Sequence, residues 1–92
     1  MDNNEWIYIL KVFSSKTYKD VEDKKKELKN YLRSKELNDP IVIYIGTGGY
    51  YVLGIGNFKS VSKAAIYAAT YLMPDYKSII IEKPKAIAFK PN

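Results

Sequence analysis

The chain alternates between short apolar runs and longer stretches whose apolar residues recur at helical period. Trp6 to Phe13 reads Trp-Ile-Tyr-Ile-Leu-Lys-Val-Phe, rich in β-branched and aromatic residues, and predicts a first strand. Val21, Leu28 and Leu32, flanked by Tyr18 and Tyr31, form one apolar stripe and predict a helix running to about Ser34. Ser15 or Thr17 can cap that helix, and Thr17 with Asp20 has capping-box spacing. Asp20 with Lys24, and Glu22 with Lys26, place an acid four residues before a base and support an exposed helix. Asn38-Asp39-Pro40 ends it.

Ile41 to Ile45 predicts a second strand, Gly46 to Gly49 a turn, and Tyr50 to Ile55 a third strand. The short glycine-rich connection makes these two an antiparallel hairpin. Ser60 is a good N-cap for a second helix from Val61 to Met73, with Val61, Ala65, Ala68 and Leu72 on its buried face. Pro74-Asp75 stops that helix, and Ser78 to Glu82 predicts a fourth strand. The order βαββαβ is that of an α+β, ferredoxin-like domain, a four-stranded antiparallel sheet with two helices on one face. Residues 1–5 are a polar lead, 6–82 the domain, and 83–92 a tail able to add a short extended segment.

A sheet with one wet face alternates apolar and polar residues. Ile41-Val-Ile-Tyr-Ile45 and Ile79-Ile-Ile81 do not; they are apolar throughout. Both faces therefore call for cover. The face away from the helices is expected to dock a second copy, a protein partner, or the tail, whose Ala86, Ile87, Ala88 and Phe89 could fold back over it.

Composition narrows the chemistry. A chain of 92 residues, 47% hydrophobic and 27% charged, is one ordinary globular domain. It has no histidine and no cysteine, so the commonest acid–base, nucleophilic and transition-metal machinery is missing. No enzymatic activity, metal or cofactor is expected. Asp20, Asp23 and Glu27 read as solubilising charges. Gly46-Thr47-Gly48-Gly49 joins two strands, whereas a phosphate cradle runs from a strand into a helix. Gly54-Ile55-Gly56 precedes a helix, but Lys59 stands where a dinucleotide fingerprint needs its third glycine. The net charge of +5 is spread out, and Lys24-Lys25-Lys26 reads as a solvated helix face. Nucleic acid is a remote third reading, because the third strand lacks the basic-glycine-aromatic pattern of RNA-recognition modules. Nine tyrosines suit a binding surface or the boundary of a small core. No run is long enough for a membrane span, and Met1 to Glu5 has no signal-peptide character. The chain as written reads as cytoplasmic, or as part of a cell envelope protein if it is an excised domain.

Tyr51-x-Leu53-x-Ile55-Gly56-x-Phe58-x-Ser60-x-x-x-Ala64, followed by Ala68 and Leu72, resembles the second half of a SPOR domain. That family's signature is an alternating strand ending Gly-x-Phe, a serine cap and an alanine-rich helix. Pro74-Asp75 before an isoleucine-rich strand, and Trp6 to Phe13 followed by Ser14-Ser15-Lys16, are similar as well, with Lys11 where a glycine is usual. The resemblance spans about 6–82. It implies a non-catalytic module that binds peptidoglycan glycan strands in the cell envelope, often in cell division, through the open face of its sheet. Leu53 and Ile55 facing the helices turns Val52 and Gly54 outward, with Ile7 and Ile9 outward on the first strand. Family binders carry a glutamine at the place of Ile9, a serine at that of Val12, an aromatic at that of Tyr50 and an arginine at that of Val52. Only the aromatic is kept here. The candidate glycan- or partner-binding residues are thus Tyr50, Val52, Ile9, Val12, Ile7 and Gly54. The alternative is a protein-interaction or homodimerisation module that uses the same apolar face.

Overall fold

Strand formation follows the β-branched runs, and helix formation follows the capping chemistry. The structure, a computed structural model, describes residues 8–83 and 89–91. β1 spans Tyr8–Ser15, α1 Tyr18–Ser34, β2 Ile41–Ile45, β3 Tyr51–Phe58, α2 Val61–Tyr67, β4 Ile80–Glu82 and β5 Phe89–Pro91. A turn of 3-10 helix, Thr47–Gly49, joins β2 to β3, and a π-helical turn, Ala68–Leu72, continues α2. The sheet runs β4-β1-β3-β2-β5, with every adjacent pair antiparallel. The expected four strands and two helices are present. The tail adds a fifth strand on the β2 edge, Tyr44 opposite Phe89 and Val42 opposite Pro91, so the domain reaches beyond residue 82. Trp6, Ile7 and Ala86 to Ala88 lie outside the described residues.

α1 is entered through Ser15, whose Oγ accepts from the Thr17 amide at 3.1 Å and donates to Asp20 Oδ2 at 3.1 Å. Thr17 holds the N-cap position but makes no side-chain capping bond. Of the expected charge pairs, Asp20 is instead engaged by Ser15, while Lys19 pairs with Asp23 and Lys24 with Glu27. The helix ends in a Schellman motif: Leu37 N–H donates to the Leu32 carbonyl and Glu36 N–H to that of Arg33, both at 2.9 Å. Glu36 takes the left-handed position, φ 60°, where glycine is usual.

The main core lies between sheet and helices. Leu10, Val12, Ile41, Leu53 and Ile55 of the sheet meet Val21, Leu28 and Leu32 of α1 and Ala64, Ala68 and Leu72 of the second helical segment. That last set corrects the expected helix face: Val61 is half exposed and Ala65 is exposed, while Ala64 is fully buried. The π turn, closed by Met73 N–H donating to the Ala68 carbonyl, adds a residue per turn. It thereby keeps Ala68 and Leu72 stacked beneath Ala64. Ser60 caps the helix as expected, its Oγ accepting from the Lys63 amide at 3.1 Å.

β1 and β3 pair with two register shifts. Lys11 pairs with Gly54 and Phe13 with Leu53, so Val12 is an extra residue and β1 bulges there. The bulge turns both Val12 and Phe13 toward the helices and brings Ser14 opposite Val52. Val12, expected on the open face, is 8% exposed in the helix-side core.

On the other face Ile9, Val42, Tyr44 and Val52 form a second buried cluster. Ile9 lies over the backbone of β3, where a Cβ at Gly54 would overlap its Cγ2 methyl and press to 3.2 Å from the Leu10 carbonyl oxygen. A Cβ at Gly56 would meet chiefly the movable Cδ1 end of Ile9. Gly54→Ala is therefore expected to cost about 1–3 kcal/mol in urea unfolding, and Gly56→Ala less than about 1. Combining Gly54→Ala with Ile9→Ala should recover about 1 kcal/mol relative to additivity. Glu36→Gly, which removes the left-handed strain, is expected to raise stability by about 0.5–1 kcal/mol in the same assay.

Candidate functional site

The β1 bulge, the β2–β3 turn and β4 converge on one shallow pocket of about 230 Å³. Lys11 and Ser14 come from β1, Val52 from β3 and Glu82 from β4, with Gly46, Thr47 and Tyr50 supplied by the turn. The turn is tied by the Gly46 amide donating to the Tyr50 carbonyl at 2.8 Å. Gly48 and Gly49 both hold positive φ, 74° and 79°, a conformation open to residues without Cβ. Tyr50 leaves the turn 42% exposed, and Lys16 Nζ stands 5.3 Å above the centre of its ring. The pocket thus combines an aromatic wall, an aliphatic floor, two hydroxyls, an ammonium and a carboxylate.

The Tyr44 phenol bounds this region from β2. It donates to Glu82 Oε1 at 2.6 Å, although β3 and β1 separate their strands. Three strand spacings amount to about 14 Å, so both side chains lie along the sheet rather than stand up from it. In this register the line between them passes Gly54, which has no side chain to block it. Tyr44 is 4% exposed, and burial first, then the bond to Glu82, raises the pKa of its hydroxyl far above the ordinary tyrosine value. The clasp leaves one Glu82 oxygen, Oε2, outside this bond.

Two further phenols make the same kind of bond. Tyr67 donates to Asp39 Oδ2 at 2.7 Å, tying α2 to the loop before β2. Tyr31 shares its proton between the Tyr71 carbonyl, 2.7 Å, and Asp75 Oδ2, 3.0 Å, tying α1 to the segment before β4. Burial and then Asp75 push the Tyr31 hydroxyl up to about 12; burial and then Asp39 push Tyr67 up as well.

The candidates from sequence are divided by this geometry. Tyr50 and Val52 line the pocket. Ile9 and Gly54 lie on the expected face, but both are buried beneath it, Ile9 at 0% exposure. Val12 is on the other side of the sheet, and Ile7 is outside the described residues. Of the face expected to dock a partner, Ile9, Val42, Tyr44 and Val52 are each 4% exposed or less, while Ile80, opposite Lys11, is half exposed. The polar groups sequence reasoning missed are Lys11, Ser14, Thr47 and Glu82. Strict alternation through β1 conceals Ser14, because the bulge shifts its parity.

Among the described residues no group of three acidic, histidine or cysteine side chains is placed to hold a metal ion, and no helix is long and apolar enough to cross a membrane. No protein-family model, curated protein or solved structure matches this chain.

A tyrosine whose pKa is raised in the folded state supports folding fully below the unfolded value near 10, and that support fades as pH climbs toward the folded value. Titration of the 295 nm tyrosinate absorbance is therefore expected to show a late step above pH about 11, from Tyr31, Tyr44 and Tyr67, coincident with loss of helical circular dichroism. Tyr44→Phe should remove one proton from the late step.

Proposed function

We propose that this domain is a non-catalytic binding module for the glycan strands of peptidoglycan, on a ferredoxin-like frame similar to that of SPOR domains. The strand order β4-β1-β3-β2 and the alternation of strands and helices support that frame.

The carrying observation is the pocket beside Tyr50. A pyranose ring has an apolar face of C–H groups and an equatorial belt of hydroxyl and acetamido groups. The first needs an aromatic platform; the second needs donors and acceptors at its edge. Tyr50 is exposed and supplies the platform. Ser14 and Thr47 both donate and accept, Lys11 donates, and Glu82 accepts. Glu82 is already oriented by Tyr44, so little side-chain freedom is lost when it takes a sugar hydroxyl. The pocket is shallow and sits on a face made of strands, which suits one or two residues of an extended polymer lying across the sheet.

Peptidoglycan sacculi, intact and amidase-treated, pelleted with the purified domain provide the test. Binding that rises on removal of stem peptides, and weakens about tenfold in Tyr50→Ala, is the expected outcome. Ser14→Ala and Glu82→Gln should weaken it less. Absence of pelleting on both preparations would refute the glycan reading.

A further inference from the structure

A second pocket, of about 280 Å³, lies on the helix side of the molecule, away from Tyr50. Leu32, Leu37, Pro40 and Ile41 give it an apolar floor, and Lys25, Lys29 and Arg33 form one wall. The three cations occupy positions i, i+4 and i+8 of α1, so they stack on one face at intervals of about 6 Å. Like charges in such a row destabilise a helix. Among the described residues none of the three is in an ion pair. The acidic partners on α1, Asp23 and Glu27, are taken by Lys19 and Lys24. Asp39 also lines the pocket, a carboxylate in the same lining as the three cations, its Oδ2 accepting from the Tyr67 phenol at 2.7 Å. Lys25 is held below its ordinary pKa by burial and by repulsion from Lys29, against a weaker pull from Glu22. Proximity to the helix C-terminus accounts for a cation at Arg33, but not for the row reaching back to Lys25.

We infer that this groove docks an acidic amphipathic helical segment of a protein partner, its carboxylates on Lys25, Lys29 and Arg33 and an apolar side chain in the Leu32–Leu37–Ile41 floor. A helix with acids at i, i+4 and i+8 repeats at the same 6 Å interval as the cations. Arg33, the chain's single arginine, presents a fork matched to a carboxylate. The floor argues for peptide over polyphosphate or nucleic acid: a phosphodiester chain has nothing apolar to place there. No aromatic side chain among the described residues lines the pocket to stack a base. The Schellman motif explains why the floor is preformed, because the Leu37-to-Leu32 backbone bond packs those two side chains at the helix end.

The test is fluorescence anisotropy of the full chain with a fluorescein-labelled 15-residue peptide carrying glutamate at every fourth position, leucines one turn apart beside them, and alanine elsewhere. Saturable binding at 50 mM NaCl is expected, weakened about tenfold by Lys29→Glu and by Arg33→Glu. Both residues are exposed, so the variants should keep the parent's circular dichroism. Lys26→Glu, about 100° around the helix and outside the pocket, should change affinity less than about threefold, and Tyr50→Ala should leave it unchanged. Three results would each overturn the inference. These are no binding, equal loss in Lys26→Glu, which would mean bulk charge alone, and undiminished binding of a peptide with serine in place of leucine. Displacement of the peptide by an oligouridylate of equal charge would reassign the groove to nucleic acid.

Discussion

One extra residue in the middle of β1 decides how the two faces of this sheet are furnished. Without the bulge at Val12, Phe13 would point away from the helices and Ser14 toward them. With it, Leu10, Val12 and Phe13 all reach the helix-side core, while Lys11 and Ser14 share the opposite face. β1 is interior to the sheet, paired with β4 as far as Lys11 and with β3 on both sides of the bulge, so the change of parity is held by the β3 ladder. The same irregularity thus seals one layer and places a hydroxyl and an ammonium beside the Tyr50 turn.

Around this strand the molecule is held by phenol–carboxylate bonds of long sequence separation. Tyr31 with Asp75, Tyr44 with Glu82 and Tyr67 with Asp39 each connect segments that the backbone ladders do not join directly. A domain of this size has a small core, and each such bond fixes the approach of two elements, those of Tyr44 and Tyr67 also satisfying part-buried hydroxyls. Three of the nine tyrosines are spent on structure in this way, whereas Tyr50 remains on the surface, its ring available for contact. Part of the tyrosine enrichment thus has the core-boundary origin that the composition allowed.

Element identity was legible where one local signal dominated. The β-branched runs gave β1, β2 and β3, Ser60 gave the start of α2, and Asn38-Asp39-Pro40 marked the break after α1. What stayed hidden depended on pairing or on residues in unusual roles. The bulge follows from how β1 fits β3, and nothing in Lys11-Val12-Phe13 announces it. The Schellman motif after α1 was hidden, because Glu36 rather than a glycine takes its left-handed position, although the helix end at Ser34 was read correctly. The face of α2 was misjudged ahead of the π turn, where Ala64 and not Ala65 stands one turn before Ala68 on the buried side. The apolar character of β2 called for cover on both faces, which Val42 and Tyr44 have, whereas Ile80 of β4 is half exposed; that Tyr44 would lie along the sheet was not legible. Of the candidate site, Tyr50 and Val52 came from the sequence; the polar partners around them came from the third dimension.

β5 changes what the sheet presents to other chains. β2 is five apolar residues long, and bare at an edge it would be a template for strand addition by any partially unfolded copy. In the order β4-β1-β3-β2-β5 it is interior, and the outermost strands are only three residues each. One ends in Pro91, which has no amide hydrogen to offer, and the other is followed by Lys83-Pro84. The tail thereby covers Val42 to Tyr44 of an apolar strand that would otherwise border the sheet and offer its edge to another chain.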